Sequence, residues 1–360
     1  MTSLADSTKP SNAGSSLPAM APSAIWIDTN VIGIREVPVP VPGPGEVLVR
    51  IRACGICGSD LHGFHVGSRR VLPGIGPGHE LAGEVAALGP GVAGPPIGTR
   101  VAVLAGRVCG ACELCRGGRF QLCQKLVLAG GNYPGGMAEY FLAQEGFTYL
   151  IPDGMPWEVA ALSEPCGISL HALKRAGLRR GQRVLVLGAG TIGLFAALVA
   201  RDGGAARIGI TARYPHQAAA ARSLGVTDVF DPEDVGRGSA AASEAWDIVV
   251  ETVGGTAPTM QQAIHLVAPG GTIALVGVHT EPQTLNLFRI FASEINIVGC
   301  FGYDNVGPRA DYDETLALLA KYHELVAPLV THTYPLAQAA EAFATALDKA
   351  SGAIKVTVLP

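Results

Sequence analysis

A glycine-rich turn between an apolar strand and an apolar helix limits the possible folds of this chain more than any other segment. The run VLVL at 184–187 leads into Gly188-Ala-Gly190-Thr191-Ile192-Gly193, and an apolar helical pattern follows. In this G-x-G-x-x-G pattern the first glycine makes a tight turn, the second lets the backbone approach a pyrophosphate, and the third permits close packing of helix on strand. Amide groups at the helix start attract phosphate. The turn therefore predicts that a dinucleotide binds at Gly188, Gly190, Thr191, Ile192 and Gly193. A strand-to-helix turn that binds no ligand is the alternative.

Alternation of strands and helices around this turn predicts an α/β fold with a doubly wound parallel sheet. After the run at 184–187, five further strand candidates follow, separated by helical or turn-forming segments: ARIGIT, TDVF, WDIVVET, GTIALVGV and INIVGC. From Ile25 to about Leu150 the pattern differs, with short alternating runs bounded by glycine and proline that predict a β-rich domain. A chain of 360 residues suits two such domains. Two amphipathic helices and a last strand follow Asp311.

The end of the second strand of the α/β unit predicts which nicotinamide cofactor binds. An acidic residue there would accept hydrogen bonds from the ribose 2′-hydroxyl of NAD. This chain has Thr211-Ala212-Arg213-Tyr214 instead, with no carboxylate. Because a guanidinium binds phosphate oxygens well, we expect NADP(H), with Thr211 and Arg213 at the 2′-phosphate and Tyr214 near the adenine. NAD(H) remains the alternative if Arg213 is an ordinary surface charge.

A cluster of four cysteines predicts a structural zinc site. Cys109, Cys112, Cys115 and Cys123 lie within 15 residues of one another. Four thiolates in one short lobe can close a tetrahedral site, and a site with no open position is structural rather than catalytic. Disulfide pairing is the alternative, but the sequence shows no secretory signal.

A second set of potential ligands is scattered along the chain. Cys57 lies in GICGSDLH, His79 and Glu80 lie in GPGHEL, and Glu164 lies in SEPC. A catalytic zinc takes mixed sulfur, nitrogen and oxygen ligands and keeps one position open. Cys57, His79 and one carboxylate would supply three ligands. Taken singly, each residue is equally compatible with a buried structural role.

These motifs together resemble the zinc-containing medium-chain dehydrogenase/reductase family, and in particular its polyol and threonine dehydrogenase branch. The resemblance covers nearly the whole chain after Ile25 and includes GICGSDLH, GHELAGEV, the four-cysteine lobe, GGMAEYFLA, the Glu-Pro pattern, VLVLGAGTIGL and GGTIALVG. It implies a GroES-like catalytic domain from residues 23–165 and 305–360, with a Rossmann domain from 166–304 inserted. The active site would lie in the cleft between them.

The resemblance also implies a ligand set for the catalytic zinc. Cys57, His79 and Glu164 match the family's ligand positions. Glu80 lies close enough in the family pattern to join or replace a ligand, and Cys166 offers a thiolate alternative. One catalytic and one structural zinc ion per chain are therefore expected. Whether Glu80, Glu164 or both bind the metal stays open at this level.

A proton relay is a further implication of the resemblance. Asp60 matches the acid that orients the metal-bound imidazole, here His79. Ser59 matches the family's relay hydroxyl and His62 its relay histidine, since an imidazole exchanges protons near neutral pH. His65 is a competitor for the second role.

Composition excludes several other classes of function. The net charge is −4 with no basic stretch, so neither nucleic acid nor an anionic membrane surface is an expected partner. No apolar run reaches the length of a membrane span. The first 22 residues are small and polar and are expected to form a disordered tail. With eight cysteines and no secretory signal, the expected compartment is the reducing cytoplasm.

The sequence thus predicts a zinc enzyme that transfers a hydride between a nicotinamide cofactor, preferably NADP(H), and an alcohol or ketone. A secondary alcohol or a polyol is the expected small-molecule substrate, and the family's dimers and tetramers imply a homodimer or homotetramer. Two alternatives use the same scaffold, a zinc-free quinone or enoyl reductase and a non-catalytic binding protein. Both would be expected to lack zinc ligands or the glycine turn, which this chain retains.

Overall fold

A computed structural model of the chain describes residues 17–66, 74–235, 245–306 and 310–360. The strands in these ranges are β1 (Met20–Asp28), β2 (Val31–Pro38), β3 (Glu46–Gly55), β4 (Glu80–Leu88), β5 (Arg100–Leu104), β6 (Gly106–Arg107), β7 (Val127–Leu128), β8 (Tyr140–Gln144), β9 (Thr148–Leu150), β10 (Arg183–Leu187), β11 (Arg207–Thr211), β12 (Asp228–Phe230), β13 (Trp246–Glu251), β14 (Val267–Leu275), β15 (Asn296–Gly299), β16 (Val330–Pro335) and β17 (Lys355–Leu359).

The helices in the same ranges are α1 (Gly58–Val66), α2 (Glu113–Arg116), α3 (Trp157–Ala161), α4 (Ser163–Arg175), α5 (Thr191–Asp202), α6 (Pro215–Ser223), α7 (Thr259–Leu266), α8 (Leu287–Ala292), α9 (Asp311–Val326) and α10 (Ala339–Leu347). Short 3-10 turns lie at Phe120–Leu122, Ala327–Leu329, Leu336–Gln338 and Lys349–Ser351. Within the described residues, no helix combines the length and the apolar character that crossing a bilayer requires.

One sheet contains six parallel strands in the order β12-β11-β10-β13-β14-β15. Strand β10 lies near its centre, and successive side chains point to opposite faces. Val184 and Val186 pack in the core that includes α5, whereas Leu185 and Leu187 pack in the core that includes α7. Both faces are therefore covered by helices, as a doubly wound fold requires, and the strand order is that of the dinucleotide-binding fold.

The second large sheet is built from both ends of the chain. Its strands run in the order β16-β17-β3-β4-β5-β9, and β8 pairs with β3. Strand β17 lies between β16 and β3, so residues near the C-terminus complete a sheet that begins at Glu46. Strands β1 and β2 form a separate antiparallel pair, and Trp26 of β1 packs on Phe64 and Phe343.

Two segments differ from the boundaries expected from sequence. Residues 1–16 of the predicted tail lie outside the described residues, but the tail was expected to extend to 22, and Met20, Ala21 and Pro22 belong to β1 instead. These three residues pair with β2, and Ala21 is buried. Pairing and burial therefore order a segment that looked disordered because the residues before it are small and polar.

Helix α4 runs through the predicted boundary at 165/166, so the chain passes between the two units inside a helix. The domain limits themselves stay predictions.

Candidate active site and metal centres

The glycine turn between β10 and α5 has the backbone geometry expected of a phosphate loop. Gly188 adopts φ +102°, which side chains rarely tolerate, and a Cβ there would lie 2.8 Å from Val253. A Cβ on Gly193 would lie 1.8 Å from the carbonyl oxygen of Gly188, so only glycine lets α5 pack this closely. A Cβ on Gly190 would meet nothing within 4 Å. The start of α5 is therefore open on the side where a pyrophosphate is expected.

The first turn of α5 is also held by the neighbouring elements. The hydroxyl of Thr191 donates to the carbonyl oxygen of Ile354, at 3.0 Å, and Ser169 of α4 donates to the carbonyl oxygen of Ile192, at 2.8 Å. These bonds use side chains and carbonyls, and they leave the first amide groups of the helix for a ligand. The cofactor loop is thus tied both to α4 and to the residue that precedes β17.

The end of β11 places the residues predicted for cofactor specificity in different settings. The hydroxyl of Thr211 accepts from the amide of Gly188 at 2.8 Å, so Thr211 supports the glycine turn, and its contact with a phosphate stays a prediction. Arg213 is exposed, and Tyr214 is half-buried with its ring stacked on His216 at 5.6 Å. Sequence reasoning missed His216, whose buried Nε2 has no hydrogen-bond partner in the described part of the chain. The sequence feature that could have identified His216 is its position three residues after Arg213.

The four cysteines of the lobe meet at one point. Their sulfur atoms all lie within 4.8 Å of one another, and separations of 3.4, 3.6, 3.9 and 4.0 Å join individual pairs. Zinc–sulfur bonds of about 2.3 Å in a tetrahedron place the sulfurs about 3.8 Å apart. The arrangement of Cys109, Cys112, Cys115 and Cys123 therefore fits a four-coordinate zinc ion with no open position.

Backbone amides prepare this lobe for anionic sulfur. The amide of Cys112 lies 3.4 Å from the sulfur of Cys109, and the amide of Cys115 lies 3.4 Å from that of Cys112. Hydrogen bonds from the amides of Ala111 and Cys112 lower the pKa of Cys109 to about 6. Since zinc binds thiolates and not thiols, these amides favour the form of the ligand that binds metal.

The structure brings Cys57, His79 and Asp60 together at the start of α1. The amide of Cys57 donates to Asp60 Oδ2 at 3.0 Å, while Asp60 Oδ1 lies 3.5 Å from His79 Nδ1. The second ring nitrogen of His79 is therefore left for a metal. Burial works against an imidazolium, but the charges of Asp60 and Cys57 outweigh it and hold the pKa of His79 well above its ordinary value. An environment that favours a positive charge at this imidazole also suits a metal cation.

Glu164 lies at the first turn of α4, buried beside this group. Burial raises its pKa to about 7, with the charge of His79 acting to lower it and the charge of Glu80 acting to raise it. Among the described residues, the ligand atoms of Cys57, His79 and Glu164 do not all fall within 4.8 Å of one another. The structure therefore brings Cys57 and His79, the predicted sulfur and nitrogen ligands, together. It places the carboxylate of Glu164 near them. Cys166, the alternative ligand, is fully buried, and burial raises the pKa of its thiol well above the usual range.

Glu80 has a partner that sequence reasoning missed. Both of its carboxylate oxygens accept from Lys355 Nζ, at 2.6 and 2.7 Å, and the same ammonium donates to the carbonyl oxygen of Ile56 at 2.8 Å. Glu80 and Lys355 are both buried. Glu80 would have to leave this ion pair to bind a metal, so its role as a ligand stays a prediction. The available signal was a single lysine in the otherwise apolar strand segment AIKVTVL.

Ser59 and His62, the predicted relay residues, both lie on α1 and are exposed there, one helical turn apart. Ser59 follows Cys57 by two residues, and a relay from the predicted metal ligands to solvent stays a prediction. The side chain of His65, their competitor, lies outside what the structure describes.

Comparison with known proteins gives the family. One family model, the alcohol dehydrogenase GroES-like domain, matches residues 43–153, and another, the zinc-binding dehydrogenase domain, matches residues 191–321. Sorbitol dehydrogenase from Bacillus subtilis is 34% identical, over 96% of this chain and 98% of that protein. The chain belongs to the zinc-containing medium-chain dehydrogenase/reductase family.

Solved structures agree with this assignment. A putative zinc-binding dehydrogenase from Sinorhizobium meliloti, bound to NADP, superimposes with a TM-score of 0.85 and 28% identity, covering 95% of this chain and 100% of that one. An alcohol dehydrogenase from Escherichia coli CFT073, complexed with NADH, gives a TM-score of 0.86 with 26% identity over 95% and 100%. The predicted family, the GroES-like and Rossmann fold and the enzyme class are therefore confirmed: this medium-chain dehydrogenase is an NAD(P)-dependent alcohol dehydrogenase.

Proposed function

We propose that this dehydrogenase interconverts secondary alcohols or polyols with the corresponding ketones, prefers NADP(H), and holds one catalytic and one structural zinc ion. One observation carries the proposal. Adjacent residues contact both halves of the site, because Ile354 accepts from Thr191 in the cofactor loop and Lys355 donates to Glu80 beside the metal ligands. These two contacts support a metal position and a nicotinamide position that lie close together, as hydride transfer requires.

Individual residues of this chain are proposed to hold the metal, to orient its ligand and to transfer the alcohol proton. Cys57, His79 and Glu164 would hold the catalytic zinc, which when bound supplies a Lewis acid for the substrate oxygen, while the cofactor carries the hydride. Asp60 fixes the orientation of His79 through its Nδ1 atom. Ser59 and His62 offer a hydroxyl and an imidazole on an exposed helix face, which suits transfer of the alcohol proton to solvent.

The substrate class is supported by named relatives and by the choice of carboxylate. Sorbitol dehydrogenase of Bacillus subtilis and a probable D-xylulose reductase of Aspergillus fumigatus, 32% identical over 83% of this chain, both carry polyol or ketose names. Glu164 in place of a cysteine at the third ligand position agrees with the polyol branch. We therefore place polyols and small secondary alcohols first among the substrates to be tested.

The cofactor preference is argued from the end of β11. Ala212 stands where a carboxylate would bind the ribose of NAD, so nothing at this position repels a 2′-phosphate. Arg213 is exposed directly beside it, and the unpartnered Nε2 of His216 lies in the first turn of α6. Three features of one strand-to-helix connection thus favour a phosphorylated ribose.

We expect Arg213→Ala to lower kcat/KM for NADP(H) by about 10- to 100-fold, because a charge-assisted contact with phosphate contributes about 1.5–3 kcal/mol. The value for NAD(H) should change by less than about twofold. The measurement is an initial-rate screen of secondary alcohols, polyols and ketones with both cofactors. Arg222→Ala, an exposed arginine at the other end of α6, is the matched control.

The same preparation tests the function itself. Two zinc ions per chain and turnover of at least one alcohol or ketone support the proposal. A wild-type protein that binds no zinc would overturn it in favour of zinc-free reductase chemistry. An unchanged cofactor ratio in Arg213→Ala would refute the phosphate site alone and would leave the metal site standing.

We further propose a homodimer formed through β15. This strand pairs only with β14 among the described strands, so its second edge is available for another strand. The helix before this strand and the residues after it carry large apolar side chains that are 71%, 76%, 79% and 51% exposed: Leu287, Phe288, Phe291 and Phe301. A cluster of this kind on a soluble enzyme marks an interface, and a second copy offers the same edge and the same apolar surface.

Phe291→Lys should weaken this dimer by at least about tenfold, about 1.4 kcal/mol, because it places a charge in the centre of the apolar patch. Sedimentation of a dilution series gives the dissociation constant. Val41→Lys, at an 87% exposed position between β2 and β3, controls for added surface charge. Wild-type protein that sediments as a monomer at all concentrations would contradict the proposal.

A further inference from the structure

The carboxylate of Asp311, the first residue of α9, is completely buried and accepts three hydrogen bonds. Its Oδ2 lies 2.8 Å from His171 Nδ1 and 3.0 Å from the amide nitrogen of Asp304, and its Oδ1 lies 2.7 Å from Lys174 Nζ. His171 and Lys174 belong to α4, whereas Asp304 belongs to the segment 300–306 that follows β15. One buried carboxylate therefore fixes a helix and a loop to each other.

The same segment is fixed on its other side to the four-cysteine lobe. The amide of Asn305 donates to the carbonyl oxygen of Gly118 at 2.9 Å, and Gln121 Nε2 lies 3.4 Å from Asp304 Oδ2. The surfaces fit closely, since a Cβ on Gly302 would lie 2.9 Å from the Cβ of Gln121. Gly118 and Gln121 lie between the third and fourth cysteines, so the position of this contact depends on the geometry of the metal lobe.

On the other side, the segment contacts the helix that carries Glu164. His171 follows Glu164 by seven residues, and at that spacing the two side chains share one face of α4. A Cβ on Gly167, one turn after Glu164, would lie 3.4 Å from the ring of Tyr303.

The group of His171, Asp304 and Asp311 is compact enough to suggest a metal site, because its ligand atoms lie within 4.8 Å of one another. Lys174 already compensates the charge of Asp311, however, and His171 Nδ1 donates to the same carboxylate. The ammonium of Lys174, 2.7 Å from Oδ1, supplies the positive charge that a cation would bring to this carboxylate. The arrangement is a hydrogen-bonded clamp on α4 rather than a third metal centre.

We infer that Asp311 is a positioning residue that makes the geometry of Glu164 depend on the four-cysteine lobe. The path runs from Gln121 to Asp304, from Asp304 to Asp311, and from Asp311 through His171 to the face of α4 that bears Glu164. The inference rests on the proposed role of Glu164 at the catalytic zinc. Its consequence is that the structural zinc affects catalysis through retention of the catalytic zinc, in addition to any effect on overall stability.

The test compares matched pairs of variants in the zinc-loaded enzyme. Asp311→Asn is paired with Asp313→Asn, an exposed aspartate in the same helical turn, and Gln121→Ala is paired with Gln124→Ala, an exposed glutamine of the same lobe. We measure the rate at which a chelator removes the catalytic zinc, the separate values of kcat and KM, and the thermal midpoint. Asp311→Asn should speed loss of the catalytic zinc by about 10- to 100-fold, the usual effect of disturbing residues that orient a ligand. Gln121→Ala should act in the same direction by at least about threefold, and both controls should match wild type.

Several outcomes distinguish the alternatives. If Asp311→Asn lowers the thermal midpoint but keeps wild-type zinc retention and kinetics, Asp311 is merely structural and the inference is wrong. If Asp311→Asn does not fold, the Gln121→Ala pair decides, and equal zinc retention in Gln121→Ala and Gln124→Ala overturns the inference. The double variant Gln121→Ala/Asp311→Asn should be no worse than Asp311→Asn alone, because both act on one path. A wild-type enzyme without a second zinc would refute the proposed function instead.

Discussion

A Cys57→Ala variant is expected to bind one zinc ion per chain in place of two and to lose at least about a hundredfold in kcat/KM. Even residues that only orient a metal ligand contribute about 10- to 100-fold, so loss of a ligand itself should cost no less. The fold should survive, because Cys57 is half-buried at the start of α1 and its backbone amide, not its sulfur, holds Asp60. Metal analysis and initial rates on the same sample measure both effects.

Two other cysteines provide controls with the same substitution. Cys54 lies three residues earlier on β3 and Cys166 lies on α4 two residues after Glu164, and both are fully buried. Cys54→Ala and Cys166→Ala should keep two zinc ions and most of the activity. Loss of a zinc ion in Cys166→Ala would show that the thiol and not Glu164 completes the ligand set. Full activity in Cys57→Ala would remove the proposed metal site altogether.

Lys355→Met should destabilise the enzyme by about 3–5 kcal/mol, the usual cost of removing one partner from a buried ion pair. The reason is that both oxygens of Glu80 depend on Lys355, and no solvent reaches the abandoned carboxylate. Urea unfolding gives the change in the free energy of unfolding, provided that the slope of this free energy against urea concentration is compared between variants. Because Glu80 lies beside the proposed ligand His79, we also expect weaker zinc retention.

The matched control is Lys321→Met, which breaks the exposed pair between Lys321 and Asp202, 2.5 Å apart. Exposed pairs contribute about 0–1 kcal/mol, so this variant should unfold almost as wild type does. The double variant Lys355→Met/Glu80→Leu should recover much of the lost stability, because no buried charge is then left without a partner. A cost below about 1 kcal/mol for Lys355→Met would mean that water or the metal already neutralises Glu80.

Patterns within short stretches of sequence predicted the fold and the meeting of the four cysteine sulfurs. The glycine turn and its flanking strand and helix are contiguous, and so are the four cysteines, whose spacing alone brings the sulfurs together. The family resemblance predicted the scattered set of Cys57, His79 and Glu164. The structure joins the first two, whereas the residues that hold the third come from distant positions that no local pattern reveals.

The partners that were missed share a physical cause. Lys355 is 275 residues from Glu80, and Asp311 is 140 residues from His171, so neither pairing leaves a periodic or spacing signal. Nothing in the sequence indicated that the hydroxyl of Thr211 accepts from the amide of Gly188, 23 residues away; its contact with a phosphate stays a prediction. Residues 20–22 looked like part of a tail until pairing with β2 gave them a partner. In each case the tertiary contact, and not the residue's own propensity, decides the role.

The place of β17 between β16 and β3 also bears on how the molecule is assembled during synthesis. Every strand of the parallel sheet lies within residues 183–299, so that sheet can close while the ribosome is still adding residues. The second large sheet, which carries the proposed metal ligands, cannot, because Thr357 and Val358 pair with Gly55 and Cys54 from the first part of the chain. Closing so long a loop is slow, and until it closes Glu80 lacks its lysine. The cofactor-binding half is therefore expected to mature first, with the catalytic metal site as the last part of the enzyme to form.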